Sequence, residues 1–387
     1  MSPAIPDVAP PSPYYTAEHD AFRHQVRRFV AKEISPYVDQ WDEAEEFPRE
    51  LYRKASQLGL LQLGFPEEYG GVPTDGFFNI ILSEELAQAG CGGVSASLMS
   101  HTIGAPPIAR LGHESMKRRV LPQILSGEKI SALAITEPSG GSDVANLRTT
   151  ARREGDHYVV NGQKMFITSG VRADYYTVAV RTGGPGMGGV SLLLIERDTP
   201  GFSRTKLRKM GWWASDTAQL FFDDCRVPVD NLIGAENAGF IGIMLNFNQE
   251  RLGMSASSCG FAQVCLDEAI AYARQRETFG KPLVKNQVIR HKLVDMAMRI
   301  HAVKAYVENL TWRVQQGERP VAEICMLKVL ATTTLEFVAN EAMQVLGGAG
   351  YLRGGKVERI YRETKVMSIG GGSIEIMKDL AARQMGL

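Results

Sequence analysis

A long run of regularly spaced apolar residues in the last third of the chain most constrains the fold. Across residues 289–310 the apolar side chains alternate spacings of four and three, which is the pattern of a long helix packed in a bundle. Gly317 is placed to end this helix, and a second helix is predicted over residues 321–345, closed by Gly347. The C-terminal part of the chain is therefore predicted to be a helical bundle.

Helical spacing also dominates the first third of the chain. The apolar positions from Phe22 to Ile34 predict an amphipathic helix with Pro36 as its stop. A second helix is predicted to begin near Pro48 and to end at Gly59, where a C-terminal capping glycine belongs. Further helices are predicted over residues 75–90, 94–111 and 114–125.

Residues 130–235 show strand patterns and turn residues instead. The pair Asn161-Gly162, between the apolar stretches 158–160 and 165–167, predicts a hairpin turn. The glycine-rich stretch 183–189 formally matches a dinucleotide-binding fingerprint, but a strand follows it where that motif needs a helix, so we interpret it as a hairpin loop. The predicted fold class is α+β, with an N-terminal α-helical domain (1–128), a middle β domain (129–236) and a C-terminal four-helix bundle (237–387).

Composition argues against several classes of function. The 43 basic residues balance 43 acidic ones, so no overall field favours nucleic acid or an anionic membrane, and no local basic patch breaks the balance. No apolar run approaches the roughly 20 residues of a membrane-spanning helix, and no basic residue precedes Arg23, so we expect no signal or transit peptide and a cytoplasmic protein. The first thirteen residues, with five prolines, predict a loosely draped arm.

The cysteines and histidines point to no metal or redox centre. The five cysteines are scattered without paired spacing, so we expect them to be reduced and structural. The seven histidines lie too far apart to nominate a metal site, and we expect none. The sequence also lacks a His-Glu-x-x-His motif, a Gly-x-Ser-x-Gly elbow and a phosphate-binding loop.

Residues 135–144, Ile-Thr-Glu-Pro-Ser-Gly-Gly-Ser-Asp-Val, are the main candidate for a ligand-binding loop. Pro138 fixes one dihedral angle, Gly140 and Gly141 permit conformations closed to other residues, and short hydroxyls stand beside bare amides. Such a loop can contact a flat or anionic ligand. On these ten residues alone, an ordinary surface turn explains the composition equally well.

This loop and four further stretches resemble the acyl-CoA dehydrogenase family. The resemblance runs from about residue 16 to residue 385, with the motifs in the family's order. It implies a flavoprotein in which FAD lies between the β domain and the C-terminal bundle, usually in a homotetramer whose neighbouring subunit completes the site. The four stretches are Asn-Gly-Gln-Lys-Met-Phe-Ile-Thr at 161–168, Arg-Gln-Arg-Glu-Thr-Phe-Gly at 274–280, Gln-Val-Leu-Gly-Gly-Ala-Gly-Tyr at 344–351 and Tyr-Arg-Glu-Thr-Lys at 361–365.

The resemblance also implies which residues bind FAD. The family often has tryptophan at the position of Phe166, which keeps the aromatic plane without the indole donor. Backbone amides and threonine hydroxyls would bind the polar edge of the isoalloxazine. The isoalloxazine ring would be surrounded by Leu133, Ile135, Thr136, Phe166, Ile167 and Thr168. The phosphates or ribityl chain would be bound by Gly141 and Ser142, and the cofactor would be faced by Ser373 and Glu375. The diphosphate and adenosine end would be held across the subunit interface by Arg276, Phe279, Gln287, Gln344 and Gly348.

The family reaction needs a carboxylate base, because a proton leaves Cα of the acyl thioester while a hydride leaves Cβ for flavin N5. Many relatives carry that base at the position that is Gly371 here. A second subgroup, which includes long-chain and isovaleryl-CoA dehydrogenases, carries it on a helix immediately before an arginine, where this chain has Glu250 and Arg251. Glu250, among apolar neighbours that suit a desolvated carboxylate, is therefore the predicted base. Judged on local sequence alone, an exposed helical glutamate paired with Arg251 is the better explanation.

The remaining roles follow from the same resemblance. Ser142, Asn248 and Arg251 would contact the acyl-CoA, and the Gly371 amide would bind the thioester oxygen. The displaced base and the glycines at 370–372 indicate a long or branched acyl chain. The product would be a trans-2-enoyl-CoA, as in fatty acid β-oxidation, with electrons passing to an electron-transfer flavoprotein. Two alternatives remain: a flavin-dependent monooxygenase or oxidase on the same scaffold, and a CoA- or partner-binding scaffold without catalysis.

Overall fold

The computed structural model describes residues 12–387, except for the side chains of Leu245 and Asn246. Most of the predicted proline-rich arm, residues 1–11, lies outside the described residues. Within the described chain, no helix combines the length and apolar character needed to cross a membrane.

The N-terminal third is helical, as predicted, but its helices are shorter than the pattern indicates. Thr16 caps the first helix, and Pro36 does not stop the helical stretch, because a π-helical turn at Val30–Ile34 and a 3₁₀ turn at Ser35–Tyr37 lead on into another helix. The single helix predicted over 94–111 is three short ones, and the last of them begins at Pro106, a residue favoured in the first helical turn. The helices are α1 (Ala17–Phe29), α2 (Val38–Ala44), α3 (Glu50–Gln57), α4 (Gly76–Ala87), α5 (Gly92–Leu98), α6 (His101–Gly104), α7 (Pro106–Leu111) and α8 (Glu114–Leu125).

The middle of the chain forms one eight-stranded sheet. Its order is β6-β7-β3-β2-β4-β5-β8, with β1 pairing in parallel to β4. Antiparallel pairing of β4 with β5 confirms that the glycine-rich stretch 183–189 is a hairpin connection. The strands are β1 (Ser131–Ala134), β2 (Thr150–Glu154), β3 (His157–Thr168), β4 (Tyr175–Arg181), β5 (Val190–Glu196), β6 (Phe202–Lys206), β7 (Thr217–Pro228) and β8 (Leu232–Ile233).

The hairpin predicted at Asn161-Gly162 is wrong. Strand β3 continues through both residues, and the turn lies earlier, at Gly155 with φ +62°, between paired Glu154 and His157. Gly162 serves a close approach instead, because a Cβ there would lie 2.7 Å from the Cα of Thr149. The register against β7 shifts at this point, so the glycine marks a bulge within a strand.

The C-terminal part is helical, as predicted. The predicted stripe is buried at Leu293, Met296, Ile300, Val303, Val307 and Leu310. Gly317, with φ +89°, follows the end of the predicted helix, and the next helix packs against the helix before it and the two after it. The elements are α9 (Gly239–Gln275), a small hairpin of β9 (Glu277–Thr278) and β10 (Lys281–Pro282), α10 (Gln287–Gln315), α11 (Val321–Leu346), α12 (Lys356–Ile369) and α13 (Ile374–Gln384).

The chain forms two compact units. Of the described residues, the first unit comprises those from residue 12 to Asp39, Asp75–Gly92 and Arg251–Leu387. The second unit comprises Gln40–Thr74 and Gly93–Glu250. In the second unit, apolar residues of α7 and α8 pack on β4 and β5 to form a core. The five cysteines are free and buried in this structure.

Candidate functional site

The loop after β1 forms a tight turn in the second unit. Glu137 and Gly140 exchange backbone hydrogen bonds of 3.2 and 3.1 Å, with Pro138 and Ser139 between them. A Cβ on Gly140 would meet nothing within 4 Å, so the space beside it is open. Gly141 and Ser142, the residues predicted to serve the phosphates or ribityl chain, are exposed. The loop therefore offers amides and hydroxyls at an open surface.

A bulge near the end of β3 displays an aromatic ring beside this loop. The register of β3 against β7 shifts between Lys164 and Ile167. Phe166, within the shift, has φ +62°, which is uncommon for a residue other than glycine, and is 65% exposed. The Met165 amide donates to the Thr136 carbonyl at 2.8 Å, so the bulge and the loop are joined. An exposed aromatic face and nearby polar groups suit a flat ring system with a polar edge.

The predicted ring-binding residues differ in what they can offer. Thr136, Thr168 and Leu133 are partly exposed, so their side chains can reach a ligand. Ile135 and Ile167 are buried, so only their backbone is in a position to contact one.

A buried ion pair, which the sequence analysis did not identify, holds the loop to β3. Lys164 Nζ donates to Glu137 Oε1 at 2.8 Å and to the Ile135 carbonyl at 2.9 Å. The Glu137 carboxylate also accepts the amides of Arg148 and Thr149 at 2.6 and 2.9 Å. Strand alternation is the sequence signal that could have revealed this pair. It places Lys164 on an inward-facing position of β3, and a buried lysine needs an acidic partner.

Both members of this pair are charged at neutral pH. Burial lowers the pKa of Lys164 to about 8, although the Glu137 charge opposes that shift. Burial acts to raise the pKa of Glu137, but the Lys164 ammonium and the hydrogen bonds to the carboxylate bring it below its ordinary value. The pair therefore places its ammonium end next to Ile135 and its carboxylate end next to Thr149.

Buried serine hydroxyls hold the turn that follows Thr168, one of the predicted ring-binding residues. Ser169 follows Thr168 with φ +58°, and its hydroxyl donates to Ser97 Oγ at 3.2 Å. Ser97 and Ser215 hydroxyls lie 2.8 Å apart, and the Ser169 amide donates to the Asp216 carbonyl at 2.9 Å. Three fully buried serines thus fix the turn that follows Thr168. Their spacing in the sequence gave no sign of this cluster.

The predicted base and its neighbour differ in burial. Glu250 and Asn248 are partly exposed on α9, whereas Arg251 is only 6% exposed. The surface ion pair that local sequence favoured therefore does not describe Arg251. Its Nε donates to the Gly371 carbonyl at 3.3 Å, which connects it to the loop predicted to bind the thioester oxygen.

Two buried cations hold that glycine loop, which joins α12 to α13. Besides Arg251, the fully buried Lys328 on α11 donates from Nζ to the Gly372 carbonyl at 2.7 Å. Gly371 and Gly372 have φ of +65° and +108°, conformations that residues with side chains rarely adopt. A glutamate at Gly371 would be strained in this backbone, so the loop suits a backbone donor here. The role of Lys328 was not predicted from the sequence.

Ser373 and Glu375 lie at the start of α13. Ser373 caps the helix by accepting the Ile376 amide at 3.4 Å. Glu375 is exposed, and hydrogen bonds from its own backbone amide and from the Ser373 hydroxyl lower its pKa. Glu375 is therefore a fixed anion at a helix N-terminus, rather than a group tuned to exchange a proton near neutral pH.

The residues predicted to bind the adenosine end are at the surface of the first unit. Phe279 and Gly280 form the two-residue turn of the β9–β10 hairpin, with φ of +51° and +75°. The Phe279 side chain is fully exposed. Arg276, Gln287, Gln344 and Gly348 are also exposed.

Comparison with known proteins covers nearly the whole chain. Three family models match in order: acyl-CoA dehydrogenase N-terminal domain at residues 16–128, middle domain at 132–225 and C-terminal domain at 237–386. The mitochondrial long-chain specific acyl-CoA dehydrogenase of Rattus norvegicus is 36% identical, over 96% of this chain and 87% of its own length. The mitochondrial isobutyryl-CoA dehydrogenase of Bos taurus is also 36% identical, over 97% and 90%. A crystal structure of a putative acyl-CoA dehydrogenase from Mycobacterium smegmatis is 48% identical with a TM-score of 0.95, covering 97% of this chain and 99% of that one.

Proposed function

The chain belongs to the acyl-CoA dehydrogenase family, and we propose that it converts a long or branched acyl-CoA to the trans-2-enoyl-CoA. The observation that carries this proposal is the glycine loop. By resemblance, Gly371 stands at the position where many relatives carry the base. Its positive φ disfavours a side chain, and its carbonyl accepts a hydrogen bond from the arginine that follows Glu250. In this proposal Glu250 supplies the carboxylate base, and Gly371, which has no side chain, supplies a backbone hydrogen-bond donor.

Each proposed role uses a group that the chain provides. Glu250 takes the proton from Cα, while the Gly371 amide binds the thioester oxygen and stabilises the negative charge that develops on it, an effect of roughly 3 kcal/mol per donor in comparable sites. Arg251 positions the glycine loop through the Gly371 carbonyl. Asn248, which is partly exposed, and Ser142, which is exposed, contact the CoA portion of the substrate, whereas the buried Arg251 acts through the glycine loop rather than on CoA as the resemblance implied.

The donor set of the second unit suits FAD as the cofactor. An exposed Phe166 ring, the Thr136 and Thr168 hydroxyls and the open glycine turn match a flat ring with a polar edge and a phosphate-bearing tail. Bound FAD would accept the hydride that leaves Cβ of the substrate. An electron-transfer flavoprotein would be the acceptor of these electrons.

The exposed apolar residues of the first unit support a homotetramer. On α10 and α11 these are Val288, Val294, Met298, Trp312, Met326 and Leu330, and Phe279 stands on the neighbouring hairpin. Burying such side chains against a second copy of the chain would remove apolar surface from water. In that assembly the exposed Arg276, Phe279, Gln287, Gln344 and Gly348 serve the adenosine end of the FAD of a neighbouring subunit.

The names of the relatives support the proposed substrate class. The rat relative is named for long-chain substrates and the bovine one for isobutyryl-CoA, a branched substrate. The glycine loop itself does not provide the predicted space for such chains, because a Cβ on Gly372 would lie 2.4 Å from Met377 Cε and one on Gly370 would lie 3.3 Å from the Val366 carbonyl oxygen.

Anaerobic titration of the purified protein with straight and branched acyl-CoAs tests the proposal. We expect the oxidised flavin absorbance band to disappear with long or branched thioesters and to persist with poor substrates. If every thioester leaves the flavin oxidised, the dehydrogenase proposal fails. Stoichiometric oxygen consumption during turnover would instead favour the monooxygenase or oxidase alternative.

Lys328→Met is expected to lower kcat/KM about 10- to 100-fold without loss of FAD. The Gly372 carbonyl loses its buried donor, so the glycine loop is less well positioned, and small misplacements at a reacting centre cost up to about 10²-fold. Steady-state kinetics and the flavin absorbance ratio measure the two effects. Lys365→Met is the matched control, because it removes a largely exposed lysine 3.1 Å from Glu336, whose ion pair contributes little. Equal activities in both variants would contradict a positioning role for Lys328.

Phe279→Ala is expected to weaken FAD retention at least about tenfold. A fully exposed aromatic ring on a hairpin tip contributes little to the stability of the free chain. Once a cofactor or a second subunit covers the ring, it contributes about 2 kcal/mol or more to the free energy of binding. Equilibrium dialysis measures FAD affinity, and sedimentation measures the oligomeric state. Met187→Ala, at another exposed apolar position within the 183–189 loop, is the control. Unchanged FAD retention and assembly in Phe279→Ala would argue against the interface proposal.

A further inference from the structure

Lys164 makes two contacts to the 135–144 loop, one to a carboxylate and one to a backbone carbonyl. Its ammonium bonds to Glu137 Oε1 at 2.8 Å, and it also donates to the Ile135 carbonyl at 2.9 Å. Glu137 is independently tied to the chain beyond the loop by the amides of Arg148 and Thr149. The second contact of the lysine is to the backbone immediately before Thr136.

The Ile135 carbonyl shares its peptide bond with the Thr136 N–H. Because the peptide group is conjugated, a cation at its oxygen draws electron density from its nitrogen and makes the N–H a stronger donor. The next peptide is fixed too, since the Thr136 carbonyl accepts the Met165 amide at 2.8 Å. The Thr136 amide is therefore polarised from one side and held in orientation from the other.

The positive charge is kept where it is costly. Lys164 is fully buried, and an ammonium in such a place is expensive unless it is paired and hydrogen-bonded. Apolar residues of similar size in place of such a pair are often neutral or stabilising. Packing alone therefore does not account for a lysine at this position, whereas an electrostatic effect on the neighbouring peptide does.

We propose that Lys164 tunes the flavin: its ammonium, acting through the Ile135 to Thr136 peptide, favours the reduced form of bound FAD. This rests on the proposed function, which places the polar edge of the isoalloxazine at Thr136. Reduction adds negative charge to that edge. A polarised amide facing it binds reduced FAD more tightly than oxidised FAD, because hydrogen bonds to charged acceptors are stronger. Lys164 is a positioning residue that acts through Thr136 and does not touch the substrate.

The test compares FAD affinities in the absence of acyl-CoA. Lys164→Met and the double variant Glu137→Gln/Lys164→Met are purified with FAD, and the midpoint potential of bound FAD is measured by reductive titration with a reference dye. We expect the ratio of reduced to oxidised affinity to fall at least tenfold, which equals about 30 mV for a two-electron couple. The double variant removes both charges, so it does not have to fold around an unpaired carboxylate.

Lys328→Met provides the matched control. It removes another fully buried lysine that donates to a backbone carbonyl, but that carbonyl belongs to the glycine loop and not to the Ile135 to Thr136 peptide. Its FAD affinity ratio is expected to stay within about twofold of the wild type.

The possible outcomes separate this inference from the proposed reaction. A wild-type ratio in the double variant, or an equal shift in Lys328→Met, overturns the inference and leaves the dehydrogenase proposal standing. A shifted ratio in a protein that no acyl-CoA reduces supports the inference and overturns the reaction. A wild-type protein that does not retain FAD overturns both.

Discussion

Replacing Glu250 with glutamine is expected to lower turnover at least about 10²-fold while FAD remains bound. The amide keeps the size and much of the hydrogen bonding of the carboxylate, but it cannot accept the Cα proton. Single-turnover reduction of the flavin by acyl-CoA, followed under anaerobic conditions, isolates this step from reoxidation. Flavin absorbance of the purified variant reports whether the cofactor is retained.

Glu375→Gln is the control for this variant, since Glu375 is an exposed carboxylate at the start of α13 whose pKa is lowered. It is expected to disturb flavin retention more than proton abstraction. Near-normal turnover in Glu250→Gln would remove Glu250 from its role. If Glu375→Gln instead abolished flavin reduction with FAD fully bound, the two roles would have to be exchanged.

Long local patterns were the parts of the fold that the sequence predicted well. The stripe from Leu293 to Leu310 is buried on one face of α10, because a helix presents residues three and four apart to the same neighbour. The bounds of α8 also match their prediction. Such elements depend on nearest neighbours in the chain, so their cause is visible in a short window of sequence.

Elements that depend on distant contacts were predicted less well. Asn161-Gly162 has the composition of a hairpin turn, yet Gly162 is required by the approach of Thr149 to a continuous strand. The helix predicted over 94–111 is divided into three, the last of which begins at Pro106. At Gly162 a tertiary contact overrides local propensity.

The candidate site shows the same division. The loop at 135–144 could be proposed from its glycines and hydroxyls, and the other site residues came from a resemblance carried by whole motifs. The residues that hold the site could not be found in this way. Glu137 and Lys164 are 27 positions apart, and Lys328 is 44 positions from the glycine whose carbonyl it binds. Only the fold brings these charges to the backbone that they support.

Glu137→Gln is expected to destabilise the protein by about 3–5 kcal/mol, because it leaves the buried Lys164 ammonium without its counter-charge. The carboxylate also accepts the Arg148 and Thr149 amides, so the loop loses charge-assisted hydrogen bonds at the same time. Urea unfolding at neutral pH measures the change. Glu45→Gln is the matched control, because Glu45 pairs with Lys206 at 2.8 Å on the surface and should cost less than about 1 kcal/mol.

The double variant Glu137→Gln/Lys164→Met is expected to recover most of this loss of stability, since no buried charge is then left unpaired.

The wild type should also lose its greater stability relative to Glu137→Gln in acid. The pKa of Glu137 is lower in the folded chain than its ordinary value of 4.5. At a pH between the folded and the ordinary pKa, the carboxylate is therefore protonated in the unfolded chain but ionised in the folded chain. The stabilisation is therefore full above about pH 4.5 and disappears as the pH falls through the folded pKa. A constant difference between wild type and Glu137→Gln across that range, or a double variant as unstable as the single one, would show that the pair does not act as a buried ion pair.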